Sequence, residues 1–372
     1  MNTLPSHPTR PLLRFIPTFG VLLSGMALAG WAHAQSTVSI SGWLDIGISR
    51  KTGGPTQLGT IGRSNISFSG TEDLGGGLAA TFKLSTRFDI DTGTLENSDA
   101  QRPFWKDEST VGLKGPFGAI RLGRALTPVW QAAWLYDAWY NFDRIASPQW
   151  YAFAPDYLSN PQTREYGRLN NGVFYDSPKF GGFSAHFSAA VDRDPGDLTR
   201  GVSGTVRYED GPISAMVGLE RNSQKDRLAF IGASYKFSEL QIMGGYSKVK
   251  LNRDGAIFGP EWTNWAGASD PKSTRTGLTL SAAYTFGVST LKVGLGRDRQ
   301  GATNGFNYIG STFKNAGTGF SGPITMASLG YSYALSKRTS LFADLSHSRW
   351  KYTDDKGHRS ATGYALGMSH SF

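Results

Sequence analysis

From residue 37 onward the chain alternates between apolar and polar side chains, and this alternation limits its folds more than any other feature. In residues 290–298, Leu291, Val293 and Leu295 fall on one side, with Lys292, Gly294 and Asp298 on the other. In residues 276–287, Leu278, Leu280, Ala282, Tyr284 and Phe286 oppose Thr279, Ser281, Ala283 and Thr285. Near the start, Val38, Ile40, Leu44, Ile46 and Ile48 oppose Ser39, Ser41 and Asp45. A period of two with one apolar face describes strands lying between two different surroundings.

Two kinds of connection separate these segments, and they alternate. Short ones, rich in Gly, Pro or Ser, lie at 73–77, 115–118, 178–182, 209–212, 237–239, 286–289 and 335–338. They suit tight hairpin turns. Mostly longer, polar ones lie at about 50–62, 90–103, 127–167, 193–200, 222–226, 251–274, 299–322 and 354–358. Seven turns and eight loops join sixteen strands. At roughly ten residues each, such strands cross a bilayer at a tilt. Short turns at one end and long loops at the other match an all-β fold, a 16-stranded antiparallel transmembrane β-barrel, which closes so that every backbone polar group is paired. A soluble sandwich would need a polar outward face.

The N-terminus supports export. Arg10 and Arg14 precede an apolar run from Phe15 to Trp31, and Ala32-His33-Ala34 follows. This is the layout of a signal peptide cleaved after Ala34. The expected organisation is therefore a signal over 1–34 and one barrel domain over 35–372. The chain has no cysteine and a net charge of +9. Export argues against a nucleic-acid partner, and the charges form no basic tract. The expected mature chain holds only four histidines, His186, His347, His358 and His370, in no catalytic or metal-binding constellation. Neither an enzyme, a metal nor a cofactor is expected.

Alternation also selects lumen residues. Ile66 and Phe68 face lipid, so Arg63, Asn65, Ser67 and Ser69 face inward. By the same count Lys83, Ser85, Arg87, Asp89, Arg121, Arg168 and Asn170 face inward. Arg124 has lipid-side parity but lies at a strand end. A charge on the lipid face near the midplane costs about 2–4 kcal/mol, which supports the inward assignment.

Particular stretches carry a family resemblance: "SGWLDIGI" (41–48), "ISFSGTEDLGGGLAATFKL" (66–84), "VGLKGPFGAIRLGR" (111–124), "RLNNGVFYDSPKFGGFS" (168–184) and the terminal "HSF" (370–372). The chain resembles the Gram-negative general diffusion porins, in the trimeric branch found in β-proteobacteria. The resemblance implies a homotrimer in the outer membrane, in contact with its lipid and lipopolysaccharide. It implies a third loop, here 127–167, folded into the lumen, and passive diffusion of small hydrophilic solutes. The terminal Phe372, on an alternating last strand, is the signal that outer-membrane assembly machinery reads. The family sets a basic wall against loop acids. Here the wall is Arg63, Lys83, Arg87, Arg121, Arg124 and Arg168, and the loop acids are Asp137, Asp143, Asp156 and Glu165, beside the loop cations Arg144 and Arg164. Asn65, Asp107 and Ser85 depart from the family pattern of charges, with Lys106 adjacent to Asp107. The cationic excess predicts a mild anion preference.

The third loop carries ten aromatics between Trp130 and Tyr157. The spacing of Trp130, Trp134, Tyr136, Trp139 and Tyr140 predicts a short amphipathic helix. One face is expected to pack on the wall, where glycines such as Gly123 and Gly172 leave room, with Asp137 and Asp143 turned toward the basic wall. The alternative is an aromatic track for solutes in a substrate-selective channel.

Overall fold

The computed structural model describes residues 37–96, 103–154, 157–161, 165–252, 274–298, 324–350 and 359–372. The expected signal segment, Asp156, Arg164 and most of the loops at 251–274, 299–322 and 354–358 lie outside these residues.

The strands are β1 (Thr37–Lys51), β2 (Gln57–Gly59), β3 (Asn65–Gly75), β4 (Leu78–Asp89), β5 (Thr94–Leu95), β6 (Glu108–Gly115), β7 (Gly118–Leu126), β8 (Arg168–Asp176) and β9 (Phe183–Ala190). They continue with β10 (Val202–Asp210), β11 (Ile213–Arg221), β12 (Arg227–Phe237), β13 (Leu240–Lys250), β14 (Thr274–Phe286), β15 (Ser289–Asp298), β16 (Ile324–Ala334), β17 (Thr339–Trp350) and β18 (Ser360–Ser371). β2 and β5 are short pieces in the first two loops. The other sixteen form the wall, each antiparallel to its neighbours. All seven expected tight turns fall between consecutive wall strands.

β1 closes the barrel. Its first half pairs with β3, from Thr37 opposite Thr71 to Trp43 opposite Asn65. Its second half pairs with β18, from Trp43 opposite Ser371 to Lys51 opposite Gly363. Phe372 completes the seam by exchanging backbone hydrogen bonds with Gly42, at 3.1 and 3.2 Å. Among the described residues, no open edge is left to lipid. The outward face is apolar: Leu278, Leu280, Val293, Leu295 and Leu366 are all exposed, as a lipid contact requires. Ring pairs at the short-turn end, Phe183 with Tyr208 and Tyr235 with Phe237, add an aromatic girdle. The inward face is small and polar, with Ser67, Ser85, Ser203, Thr279, Ser281 and Ser369 buried.

The simple parity of Arg124 does not hold. The β7–β8 register slips between Gly123 and Ala125, and Gly123 has φ of +127°. A Cβ there would lie 2.2 Å from the Ser109 carbonyl oxygen. Such a bulge re-aims the next side chain, and Arg124 turns inward and is buried.

The third loop spans 127–167, the expected limits. It begins with α1 (Pro128–Ala133) and a 3₁₀ turn (Trp134–Tyr136), and later forms α2 (Pro148–Ala152). Pro occupies the first position of each helix, where its missing N–H costs nothing. Ser147 caps α2 by accepting from the Trp150 N–H at 3.1 Å. The two helices and the 3₁₀ turn pack on the wall from β9 to β16. Val129, Tyr136, Phe153 and Tyr157 are buried against Met216, Leu228, Phe230 and Val249. Wall hydroxyls satisfy loop backbone: Ala138 N–H donates to Ser281 at 3.0 Å, and Ala154 N–H to Ser247 at 3.1 Å. Trp139 Nε1 donates to Asp344 at 2.6 Å.

The glycines that admit the loop differ from those expected. A Cβ on Gly172 would meet Phe174, a neighbour on its own strand, and one on Gly123 would meet Ser109. The gaps the loop uses are at Gly218, Gly232, Gly277, Gly294 and Gly330, which touch Val129, Tyr136, Ala152, Pro148 and Trp139 respectively. At Gly277 an added Cβ would lie only 1.6 Å from the Ala152 carbonyl oxygen.

Asp137 and Asp143 also depart from expectation. Both turn into their own loop. Asp137 Oδ2 accepts from the Asn141 N–H at 2.9 Å and from Ser147 Oγ at 2.6 Å. Asp143 Oδ1 accepts from the Ile145 and Ala146 N–H groups, at 2.7 and 2.5 Å. Backbone donors within a tight turn lie nearer than any wall arginine. Burial pushes the Asp137 carboxyl up to about 6, against the lowering effect of these hydrogen bonds.

Two outcomes follow from this docking. Gly277→Val is expected to lift α2 off the wall, at a cost of about 1–3 kcal/mol or more. Limited proteolysis in detergent should then cut within 127–167 while the barrel stays intact, whereas Gly204→Ala, with only ordinary contacts, should remain resistant. Asp137 binds its proton more tightly in the folded loop than at its ordinary value of 3.8. Its contribution to stability is therefore fully present below about pH 4 and is lost as pH rises through about 6. Asp137→Asn mimics the protonated form and should flatten the thermal-stability profile between pH 4 and pH 8, by up to about 3 kcal/mol. An unchanged profile would remove Asp137 as its source.

Candidate functional site: a cationic arc opposite the docked loop

Because the third loop packs on β9 to β16, the arc formed by β3, β4, β6, β7 and β8 is the one that carries the wall cations. Parity and the bulge at Gly123 aim them inward. Arg87, at the end of β4, places Nη1 at 3.0 Å from Glu96 and Nε at 2.9 Å from Asp107. Lys106 reaches Glu96 at 3.0 Å. Arg144, from the third loop, pairs with the same carboxylate. Arg168 pairs with Asp107. Arg124 reaches Glu165 at 2.6 Å and donates to the Lys106 carbonyl oxygen at 2.9 Å. Arg63 lies over the Phe142 ring, 4.2 Å from its centroid.

These residues form one continuous network. Among the described residues, five cations (Arg87, Lys106, Arg124, Arg144 and Arg168) share three carboxylates (Glu96, Asp107 and Glu165) and Arg63 lies beside them without an ion pair, leaving an excess of three positive charges. Burial alone would raise the Glu96 carboxyl. Arg87, Lys106 and Arg144 together outweigh burial and hold it well below the usual range. Burial likewise raises Asp107, and Arg87 and Arg168 bring it down to about 2. Both are therefore ionised at neutral pH, and the surrounding cations are what keep them so. Nearer the short-turn end, Arg121 pairs with Glu108 at 2.7 Å and with Asp176 at 3.2 Å. Lys83 reaches Glu108 at 3.0 Å, with its side chain half-exposed.

The structure brings together Arg63, Arg87, Arg124 and Arg168, and sets Lys83 and Arg121 beside them in a separate, balanced group. Of the loop acids, Glu165 meets the basic wall, while Asp137 and Asp143 do not; Asp143 lies against Asp344 on β17 instead. Asp107, where the sequence departs from the family pattern, acts as an acceptor for two wall arginines. Ser85 is bonded to Ser67 at 2.7 Å, and the Asn65 side chain accepts from the Trp43 N–H at 3.1 Å. Glu96 and Glu108 escaped the sequence reading. Glu108 shares inward parity with Thr110, opposite the lipid-facing Val111 and Leu113, so alternation could have found it. Glu96 sits in an irregular loop where no period applies.

The loop aromatics divide. Trp139 is buried against Asp344, and Trp130 packs on Phe153 with centroids 4.7 Å apart. Trp134 and Tyr140 remain partly or largely exposed, close to Phe142.

Comparison with known proteins agrees with this geometry. Residues 21–356 match the family model described as Gram-negative porin. The chain is 30% identical to outer membrane porin protein 32 of Delftia acidovorans, covering 95% of this chain and 99% of the relative. It is 25% identical to an outer membrane porin protein of Bordetella pertussis, over 94% of this chain and 98% of that one. Among solved structures it is similar to an anion-selective porin from Comamonas acidovorans, with 27% identity, a TM-score of 0.69 and coverage of 91% of this chain and 100% of that one. Salmonella typhi OmpF, at 14% identity and a TM-score of 0.60 over 90% of this chain and 97% of that one, shares the fold. A sixteen-stranded barrel with an apolar outer face, a polar inner face and full-length porin relatives leaves one conclusion: the chain belongs to the Gram-negative porin family and is an outer-membrane diffusion channel.

Proposed function

We propose that the channel prefers small anions, and that the preference arises on the arc between β3 and β8. The observation that carries this reading is the excess of three positive charges in the Glu96–Asp107–Glu165 network. Asp137 and Asp143 within the third loop, Asp45 on β1 and Asp344 on β17 are all buried. Arg87, Lys106, Arg124, Arg144 and Arg168 are buried too, so the network acts on a passing ion through its net field, with Arg63 the more accessible of its cations. One charge about 8 Å away, at an effective dielectric between 20 and 80, is worth about 0.5–2 kcal/mol. That magnitude gives a bias rather than strict selection, and salt weakens it over a Debye length of about 10 Å at 0.1 M.

The rest of the reading is a trimer in the outer membrane, exported by cleavage after Ala34. It lies among outer-membrane lipid and lipopolysaccharide and passes hydrophilic solutes by size and charge. Phe372, held in the β1–β18 seam, is the terminal signal for the assembly machinery. The similar fold of Vibrio cholerae OmpT, solved in a trimer form, supports the oligomer. The anion selectivity of the Comamonas acidovorans porin supports the anion preference.

Reversal potentials in planar bilayers under a KCl gradient test the proposal. Chloride is expected to permeate several-fold more readily than potassium at low salt, and less so at high salt. Arg63→Gln lowers the network excess from three to two and should reduce the chloride-to-potassium ratio about twofold. A cation preference in the wild type would overturn the assignment.

A further inference from the structure

At the tip of the third loop, three aromatic rings gather on the side away from the wall. Trp134 stacks on Phe142, with centroids 5.9 Å apart and planes 26° apart. Tyr140 meets Trp134 edge-on at 5.7 Å and is 49% exposed. The backbone bends sharply to hold them there. Tyr140 and Asn141 have φ of 56° and 55°, a left-handed pair that non-glycine residues rarely adopt. The turn is tied by Tyr140 N–H to the Asp137 carbonyl oxygen at 2.9 Å and by Phe142 N–H to the Trp139 carbonyl oxygen at 3.1 Å. Strain of this kind persists where the surroundings over-determine it and often marks a functional segment. Packing the wall does not require it, since Tyr136, Trp139, Phe153 and Tyr157 already do so.

The cation beside this platform is unlike its neighbours. Among the described residues, Arg63 has no carboxylate within ion-pair distance, whereas Arg87, Arg124, Arg144 and Arg168 each have one. Its guanidinium instead lies over Phe142, which leaves its donors open to an incoming anion and holds the group in place by cation–π contact. An aromatic pair and an unspent guanidinium, joined through their shared contact with Phe142, match a ligand with a flat ring and a carboxylate.

We propose that Trp134, Tyr140, Phe142 and Arg63 form a binding subsite for aromatic monocarboxylates on their way through the pore. The ring lies against Tyr140 and Trp134, and the carboxylate accepts from Arg63. This rests on the channel reading above and adds a solute class to it.

The test uses the full-length protein in planar bilayers, with benzoate and cyclohexanecarboxylate as probes. Both carry one negative charge and are close in size, but only benzoate is flat and aromatic. Benzoate is expected to reduce the open-channel current in a saturating manner, at concentrations roughly three- to tenfold lower than cyclohexanecarboxylate. Tyr140→Asn, which tolerates the left-handed backbone, should bring the two probes to equal potency. Phe142→Leu should do the same, and it carries the test if Tyr140→Asn does not assemble. Equal block by both probes in the wild type, or discrimination that survives both substitutions, overturns the subsite. The KCl reversal potential, read in the same bilayers, keeps the two readings apart. Chloride preference without benzoate discrimination removes only the subsite. Discrimination without chloride preference removes the electrostatic reading.

Discussion

In hydrocarbon there is no water to take the place of a missing backbone partner, and each unpaired N–H or C=O costs several kcal/mol. β1 meets this demand by splitting its pairing between β3 and β18. Everything inside the barrel depends on that closure. Once the wall is continuous, its outer side chains are fixed as apolar, and its inner ones are free to be small, polar or charged. The serines and threonines of the inner face then become the donors and acceptors that receive the third loop.

The loop divides the lumen chemically. It follows the arc of the wall where glycines replace side chains, so its backbone comes within contact distance of the sheet. Next to that arc, Asp344 on β17, Asp45 on β1 and the loop's own Asp143 are buried. On the other arc, among the described residues, no glycine gap receives a loop helix, and long basic side chains occupy the space. The asymmetry of the pore therefore begins with side-chain volume, and charge follows from it. Arginines need width to extend, and the loop needs bare backbone to dock.

Most of the fold is legible in the sequence because alternation is a strictly local signal. The lipid-facing Leu278, Leu280 and Val293 declare themselves by period two, and the turns by glycine and proline. The limits of the third loop, 127 and 167, are also visible. Parity failed at Arg124 because a single bulge changes the count, and the glycine that causes it looks like any other glycine in a strand. The docking glycines were misplaced for a different reason. Gly277 and Gly232 are far from the loop in sequence, and only the closed barrel brings them to Ala152 and Tyr136. The charge pairing was the least legible part. Glu96 lies in an irregular loop, and its three cationic partners come from β4, the segment before β6 and the third loop.

The aromatic excess of the third loop serves two purposes that composition alone does not separate. Burial of Tyr136, Trp139, Phe153 and Tyr157 provides the apolar contact that holds the loop to the wall. With that anchoring in place, Trp134, Tyr140 and Phe142 are not needed for docking, and the chain accepts two left-handed residues to keep them together. A loop selected only to narrow the pore would gain nothing from that strain. Exposed rings inside a channel lower its tolerance for water unless solutes profit from them. Their position beside Arg63, the one described network arginine without a carboxylate partner, makes the flat, anionic solute the one that profits most.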